Sequence, residues 1–195
     1  MSHYHHDSPL APYPITVSAR GVTLTLLSSP GMFSKDALDN GTALLIDAAE
    51  LKPGMRVLDL ACGNGVVGLI AKTIEPTLDV WLTDVTTKSI TLTLENAKRL
   101  GLQVVVKQGD CYSGVTSERF DLILVNPPRA AGKAVIARMI EDAEEHLVVG
   151  GLLLLVAMTN KGGASYEKMM KETFGNVTKA ARGSGFSVYQ SIMSE

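Results

Sequence analysis

Two cysteines, Cys62 and Cys111, are too few to staple a small secreted fold, and a reduced setting is the default for such a chain. Charge of one sign is also missing. Eighteen Lys and Arg stand against 20 Asp and Glu, for a net charge of −2. That balance excludes a protein whose whole surface is built for nucleic acid, while leaving room for a local basic patch. The longest uncharged apolar run, Leu147–Met158, falls short of the roughly 20 residues that span a bilayer. No apolar leader opens the chain, because Met1–Pro14 is polar and rich in His and Pro. A soluble, cytoplasmic protein without a membrane partner is therefore expected. Internal repeats, linkers and low-complexity segments are absent as well.

What is present is a folding composition: 46% apolar and 19% charged over 195 residues. One domain with one sizeable core is expected, with a tail over 1–14, a hairpin and helix over 15–52, and the main body over 55–195. His3, Tyr4, His5, His6 and Asp7 have no partner set of metal ligands downstream, so the tail is read as mobile or surface-packed and no metal is expected. Ile15–Val17 and Val22–Leu27, separated by Ser18-Ala19-Arg20-Gly21, read as a β-hairpin. Asp39 or Asn40 can cap a helix with an apolar face of Leu44, Leu45, Ala48 and Leu51.

From Met55 the pattern alternates. Apolar strands at 55–60, 78–84, 103–108, 120–126 and 152–158 are separated by helical stretches. Over 86–100 the stripe is Ile90, Leu94 and Ala97, over 132–147 it is Ile136, Met139, Ile140, Ala143 and Leu147, and over 164–174 it is Tyr166, Met170 and Phe174. Val177–Ala181 and Phe186–Ile192 close the chain as a second hairpin. The sum is an α/β fold: a Rossmann-like, doubly wound, mostly parallel seven-stranded sheet with an antiparallel edge strand, preceded by the hairpin and helix.

Chemistry concentrates where strands end. In Val57-Leu58-Asp59-Leu60-Ala61-Cys62-Gly63-Asn64-Gly65 a buried strand meets a glycine turn, and a helix follows from Val66. The glycines permit a sharp turn and close approach of a ligand, and unpaired N–H groups at the helix start face it. Asp59 would repel a pyrophosphate there but tolerate an ammonium or sulfonium, which counts against a nicotinamide dehydrogenase. Asp84, ending the next strand, suits a grip on ribose hydroxyls. Gly109-Asp110-Cys111 could bring a carboxylate near an adenine amine.

Phe120–Val125 ends in Asn126-Pro127-Pro128, and two prolines make that turn rigid. The Asn126 amide oxygen and the Pro127 main-chain oxygen are then placed to accept from one planar –NH₂. Two fixed acceptors favour the pyramidal geometry in which such a poor nucleophile attacks, so rate would come from positioning rather than from a strong base.

These motifs resemble class I S-adenosylmethionine-dependent methyltransferases, with Asn-Pro-Pro the signature of those acting on exocyclic amino or amide nitrogens. Gly31-Met32-Phe33-Ser34 with Asp39 and Gly41, Ala131-Gly132-Lys133, Lys161-Gly162-Gly163-Ala164 and Phe174-Gly175-Asn176-Val177 narrow the resemblance. They are similar to the small-domain family related to the guanine-N2 methyltransferase of small-subunit ribosomal RNA, in its short single-domain archaeal and bacterial members. The resemblance implies S-adenosylmethionine as cofactor, held by Asp59, Ala61, Cys62, Gly63, Asn64, Gly65, Asp84, Val85, Gly109, Asp110, Cys111, Asn126 and Phe33, with Phe33 and Ser34 near its methyl-donating end. It implies catalysis by Asn126, Pro127 and Pro128, and substrate contacts from Phe33, Ser34, Arg129 and Lys133. RNA is the implied partner, bound by a monomer or homodimer through a patch of Arg20, Lys35, Arg129 and Lys133. Two departures stand out. Ala61 replaces the first motif glycine, which costs little unless a positive φ is needed, and Arg129 stands where many amine methyltransferases have an aromatic. A protein glutamine amide is the rival substrate, and a catalytically idle binding module the rival class.

Overall fold

The computed structural model describes residues 11–32, 38–128 and 131–195. The histidines of the tail, Phe33, Ser34, Lys35 and Arg129 lie outside them. Strands β1 (Tyr13–Ala19) and β2 (Val22–Ser28) form the expected hairpin, a two-stranded sheet of its own. Helix α1 (Asn40–Ala48) starts at Asp39, whose side chain accepts from the N–H groups of Gly41 and Thr42.

The main sheet is built from β3 (Arg56–Leu60), β4 (Asp79–Asp84), β5 (Val105–Gln108), β6 (Phe120–Val125), β7 (Leu147–Met158), β8 (Thr178–Gly183) and β9 (Phe186–Ile192). Its order is β5-β4-β3-β6-β7-β9-β8. The first five pair in parallel, and β9 runs antiparallel between β7 and β8. The crossovers include α2 (Val66–Ile74), α3 (Thr87–Leu100), α4 (Lys133–Glu141), the short α5 (Ala143–His146) and α6 (Ala164–Phe174).

Strand alternation divides the core in two. Val57, Leu82, Leu122, Leu124, Leu154 and Val156 pack with α1, α2 and the hairpin on one face. Leu58, Leu60, Ile123, Val125, Leu153 and Leu155 pack with α4 and α6 on the other. Among the described residues no helix is long and apolar enough to cross a membrane.

Three elements differ from the sequence reading. Helix α1 ends at Ala48, so Leu51 lies beyond it. The helix expected over 132–147 breaks after Glu141, and β7 begins already at Leu147. Leu147 pairs with Phe120, and a register shift brings Leu152 opposite Leu122. β-branched Val148 and Val149, followed by two glycines, favour extended chain over a further helical turn. Of the stripe expected in α3, Ala97 faces inward, Ile90 is half-buried and Leu94 faces out. Ser89, Leu92, Thr93, Asn96 and Ala97 are buried, while Leu94 is 51% exposed.

Candidate active site

The parallel registers set Leu60 beside Thr83 and beside Val125, and Asp84 beside Gln108. The turns that follow β3, β4, β5 and β6 therefore emerge at one edge of the sheet.

After β3 the backbone enters the left-handed region three times, at Ala61 (φ +61°), Gly63 (φ +59°) and Gly65 (φ +84°). The proviso on Ala61 is thus met: a non-glycine residue pays for this conformation. Gly65 and Gly68 are needed for space as well. A Cβ at Gly65 would lie 2.9 Å from Thr93, and one at Gly68 would lie 2.7 Å from Leu82. At Gly63 the situation is the reverse, since among the described residues a Cβ would meet only Met32 Cε, at 3.8 Å. Among the described residues that side of the turn is open.

The polar face of α3 holds the turn in place. Thr93 Oγ1 donates to Gly63 O (3.0 Å), and Asn96 Nδ2 donates to Asn64 O (3.0 Å). Asn96 also takes the Leu27 N–H at 2.6 Å and donates to Leu27 O at 3.0 Å, binding β2 to the same turn. Sequence reasoning missed both residues. Their signal was the spacing of Ser89, Thr93 and Asn96, which repeats along one helical face.

Asp84 Oδ2 accepts from the Gly63 N–H (3.0 Å), and Oδ1 accepts from Thr86 N (2.9 Å) and lies 3.0 Å from Thr86 Oγ1. Asp59 sits differently from its expected approach to a ligand. It is 3% exposed, and Oδ2 accepts from the Gly68 N–H (2.9 Å) in the first turn of α2. Burial pushes its pKa up to about 7, the Gly68 bond opposes this, and the Asp84 charge adds to it. The Cys62 thiol is buried at the turn, and burial raises its pKa well above the ordinary value.

Val85, following Asp84, exposes an apolar side chain. Gly109 N–H donates to Asp84 O (3.0 Å), and a Cβ there would lie 2.4 Å from Gly114 N. Asp110 was expected to face an adenine amine. Here its carboxylate pairs with Arg138 of α4 at 3.1 Å, and its N–H reaches Ser113 Oγ. Cys111 is buried with φ +51°, its pKa pushed up to about 11 by burial.

Asn126 emerges half-buried from β6, and its Nδ2 donates to Thr42 Oγ1 at 2.8 Å. Pro127 and Pro128 follow it, and Lys133 opens α4 on the exposed side. Arg20 is not at this edge. Its guanidinium donates to Ile46 O and Ala49 O, at the end of α1 remote from Thr42. Carbonyls at that helix terminus claim the cation, so Arg20 leaves the expected RNA patch.

A doubly wound, mostly parallel sheet with a glycine turn after its first parallel strand and an acid ending the next is the architecture of the class I methyltransferases. The profile of the methyltransferase small domain family matches residues 23–190. The chain belongs to that family of S-adenosylmethionine-dependent methyltransferases. It is 35% identical over 168 residues to a protein of Hamiltonella defensa named ribosomal RNA small subunit methyltransferase C, covering 84% of this chain and 49% of that one. It is 34% identical over 173 residues to the uncharacterized protein YbxB of Bacillus subtilis, covering 87% and 86%. The chain thus spans about half the length of the ribosomal RNA methyltransferase relatives. A solved structure described as the T. thermophilus 16S rRNA N2 G1207 methyltransferase in complex with AdoMet and guanosine superposes with a TM-score of 0.84 at 24% identity. It covers 95% of this chain and 51% of that one, and at this identity the likeness is one of fold.

The residues present fit the cofactor. Thr86 has one hydroxyl proton and two acceptors, Asp84 Oδ1 and Ser89 Oγ at 2.7 Å. When it serves Ser89, Asp84 keeps one lone pair on each oxygen, which matches two ribose hydroxyls.

Proposed function

We propose that this protein transfers a methyl group from S-adenosylmethionine to an exocyclic amine, guanine N2 of ribosomal or other structured RNA. The observation that carries the reading is the Asn126-Pro127-Pro128 turn, set at the same sheet edge as the open side of Gly63. In this reading Gly63, Asn64 and Gly65 form the floor under the donor, Asp84 accepts from its ribose, and Val85 and Cys111 flank the adenine. S-adenosylmethionine, when bound, supplies an electrophilic methyl on a sulfonium.

The protein's own task is to position the nucleophile. Asn126 Oδ1 and Pro127 O accept the two protons of the amine, which turns its lone pair toward the methyl group. The methylated nitrogen then sheds a proton readily, so no strong base is required.

RNA must approach a chain of net charge −2 through local cations. Lys133, at the start of α4, and Lys161, in the turn after β7, are exposed at the strand ends and suit that role. Stacking on the extruded base is proposed to come from Arg129 or from Phe33, both outside the described residues.

The test is incubation with methyl-labelled S-adenosylmethionine and unmodified small-subunit ribosomal RNA, transfer RNA or a glutamine-bearing release-factor peptide. Label in N2-methylguanosine after digestion is the expected result. Label in the peptide and none in RNA would move the substrate to protein, and no transfer to any of them would refute the reading.

A further inference from the structure

We propose that Thr42, held by Asp39, is a positioning residue that decides which end of the Asn126 amide meets the substrate. The proposal rests on the reading of Asn126 as the acceptor for the target amine. Asp39 is fixed first, as Oδ1 accepts from Gly41 N (3.0 Å) and Thr42 N (3.1 Å) at the start of α1. Its other oxygen, Oδ2, lies in short contact with Thr42 Oγ1. A carboxylate only accepts, so the single hydroxyl proton of Thr42 goes to Asp39.

Thr42 Oγ1 then has only lone pairs to offer, and the group facing it across 2.8 Å must be a donor. Of the two ends of the Asn126 amide, that is Nδ2. The amide oxygen is thereby turned away from α1, and it takes no hydrogen bond from any described residue. Asp39, Thr42 and Asn126 form a directional chain in which each proton has one destination. Without it the two amide rotamers differ little, and the flipped one would present a donor to a donor amine.

The helix start is brought close enough by Gly41, where a Cβ would lie 2.9 Å from the Phe186 ring. Thr42 itself is 2% exposed. It lies 84 residues from Asn126 in the chain, so the link joins an element outside the parallel sheet to the reacting edge.

Thr42→Val keeps the shape of the side chain and leaves both backbone bonds of Asp39 in place. Removing the one hydrogen bond that selects the amide rotamer should lower kcat on the methyl acceptor about tenfold. Affinity for S-adenosylmethionine by calorimetry should stay within about twofold, and Thr42→Ser should restore most of kcat. In an Asn126→Ala background, Thr42→Val should lower kcat no further.

A readout independent of turnover is the Asn126 side-chain amide signal in nitrogen-edited NMR of the protein without cofactor. It should exchange slowly in the wild type and in Thr42→Ser, and broaden or exchange faster in Thr42→Val. An unchanged signal with unchanged kcat in Thr42→Val would overturn the proposal, as would joint loss of kcat and cofactor affinity. Should the signal respond as expected while the wild type methylates no amine, the chain of hydrogen bonds stands and the proposed function fails.

Discussion

Ala61 and Asp59, two residues apart, are each held at a cost. Ala61 keeps φ at +61°, where a Cβ crowds the following carbonyl. Ala61→Gly removes that crowding and returns some chain entropy to the unfolded state, for a net gain of about 0.5–1 kcal/mol. Thermal unfolding should show a midpoint higher by about 1–4 °C, and a lower midpoint would mean the backbone is not strained there. The alanine was visible in the sequence, but the dihedral it must adopt was not, because the need arises from where Cys62 bonds to Thr83 on the neighbouring strand.

For Asp59, a carboxyl whose ordinary pKa is about 3.9 is pushed up to about 7. Between those values the folded protein binds a proton that the unfolded chain does not. Stability therefore falls as pH rises through that window and is flat above it. Asp59→Asn keeps an acceptor for the Gly68 N–H and cannot ionise. It should be more stable than wild type at pH 8, on the order of 2 kcal/mol, with the gap closing below about pH 4. Denaturant titrations at several pH values check this, and a gap that widens on acidification would contradict it. The position of Asp59 before the glycines was legible. Its burial under α2 was not, since an acid in a strand reads the same whether it faces a ligand or a helix end.

At the scale of elements, α3 shows what hydrophobic periodicity misses. Ser89, Thr93 and Asn96 lie outside the stripe that apolar periodicity marks, yet all three are buried. The partners of Thr93 and Asn96 are backbone atoms of the glycine turn and of β2, tens of residues away, and no local pattern encodes them. Asn96 makes three such bonds and is 1% exposed, so Asn96→Ala leaves buried backbone groups unpaired. The expected loss is about 2–4 kcal/mol of stability together with weaker cofactor binding. Chemical denaturation and calorimetry measure both, and a change within 0.5 kcal/mol would show that water replaces the lost bonds. The run of strands and helices after Met55 was legible because it repeats. The break at Glu141 was not, as the apolar stripe continues through Leu147 into a strand.

At the scale of the molecule, the fold orders its chemistry without ordering its charge. A net charge of −2 leaves binding of a polyanion to a few cations at the strand ends. RNA affinity should fall with salt at a log–log slope of a few units, and Lys133→Ala should lower that slope by about one while cofactor affinity stays unchanged. A salt-independent affinity would remove RNA phosphates from the account. The sequence pattern conveyed which turns converge on the edge. It could not convey that the end of α1 claims Arg20, a contact made by backbone carbonyls.

The central claim is that Asn126 acts on the acceptor amine and not on the donor. It is tested most directly by measuring Asn126→Ala twice, for S-adenosylmethionine affinity by calorimetry and for methyl transfer to unmodified ribosomal RNA under single-turnover conditions. Affinity within about twofold of wild type and a rate lower by about 100-fold or more is the predicted result. Loss of affinity and rate together, or a rate that survives, would contradict it.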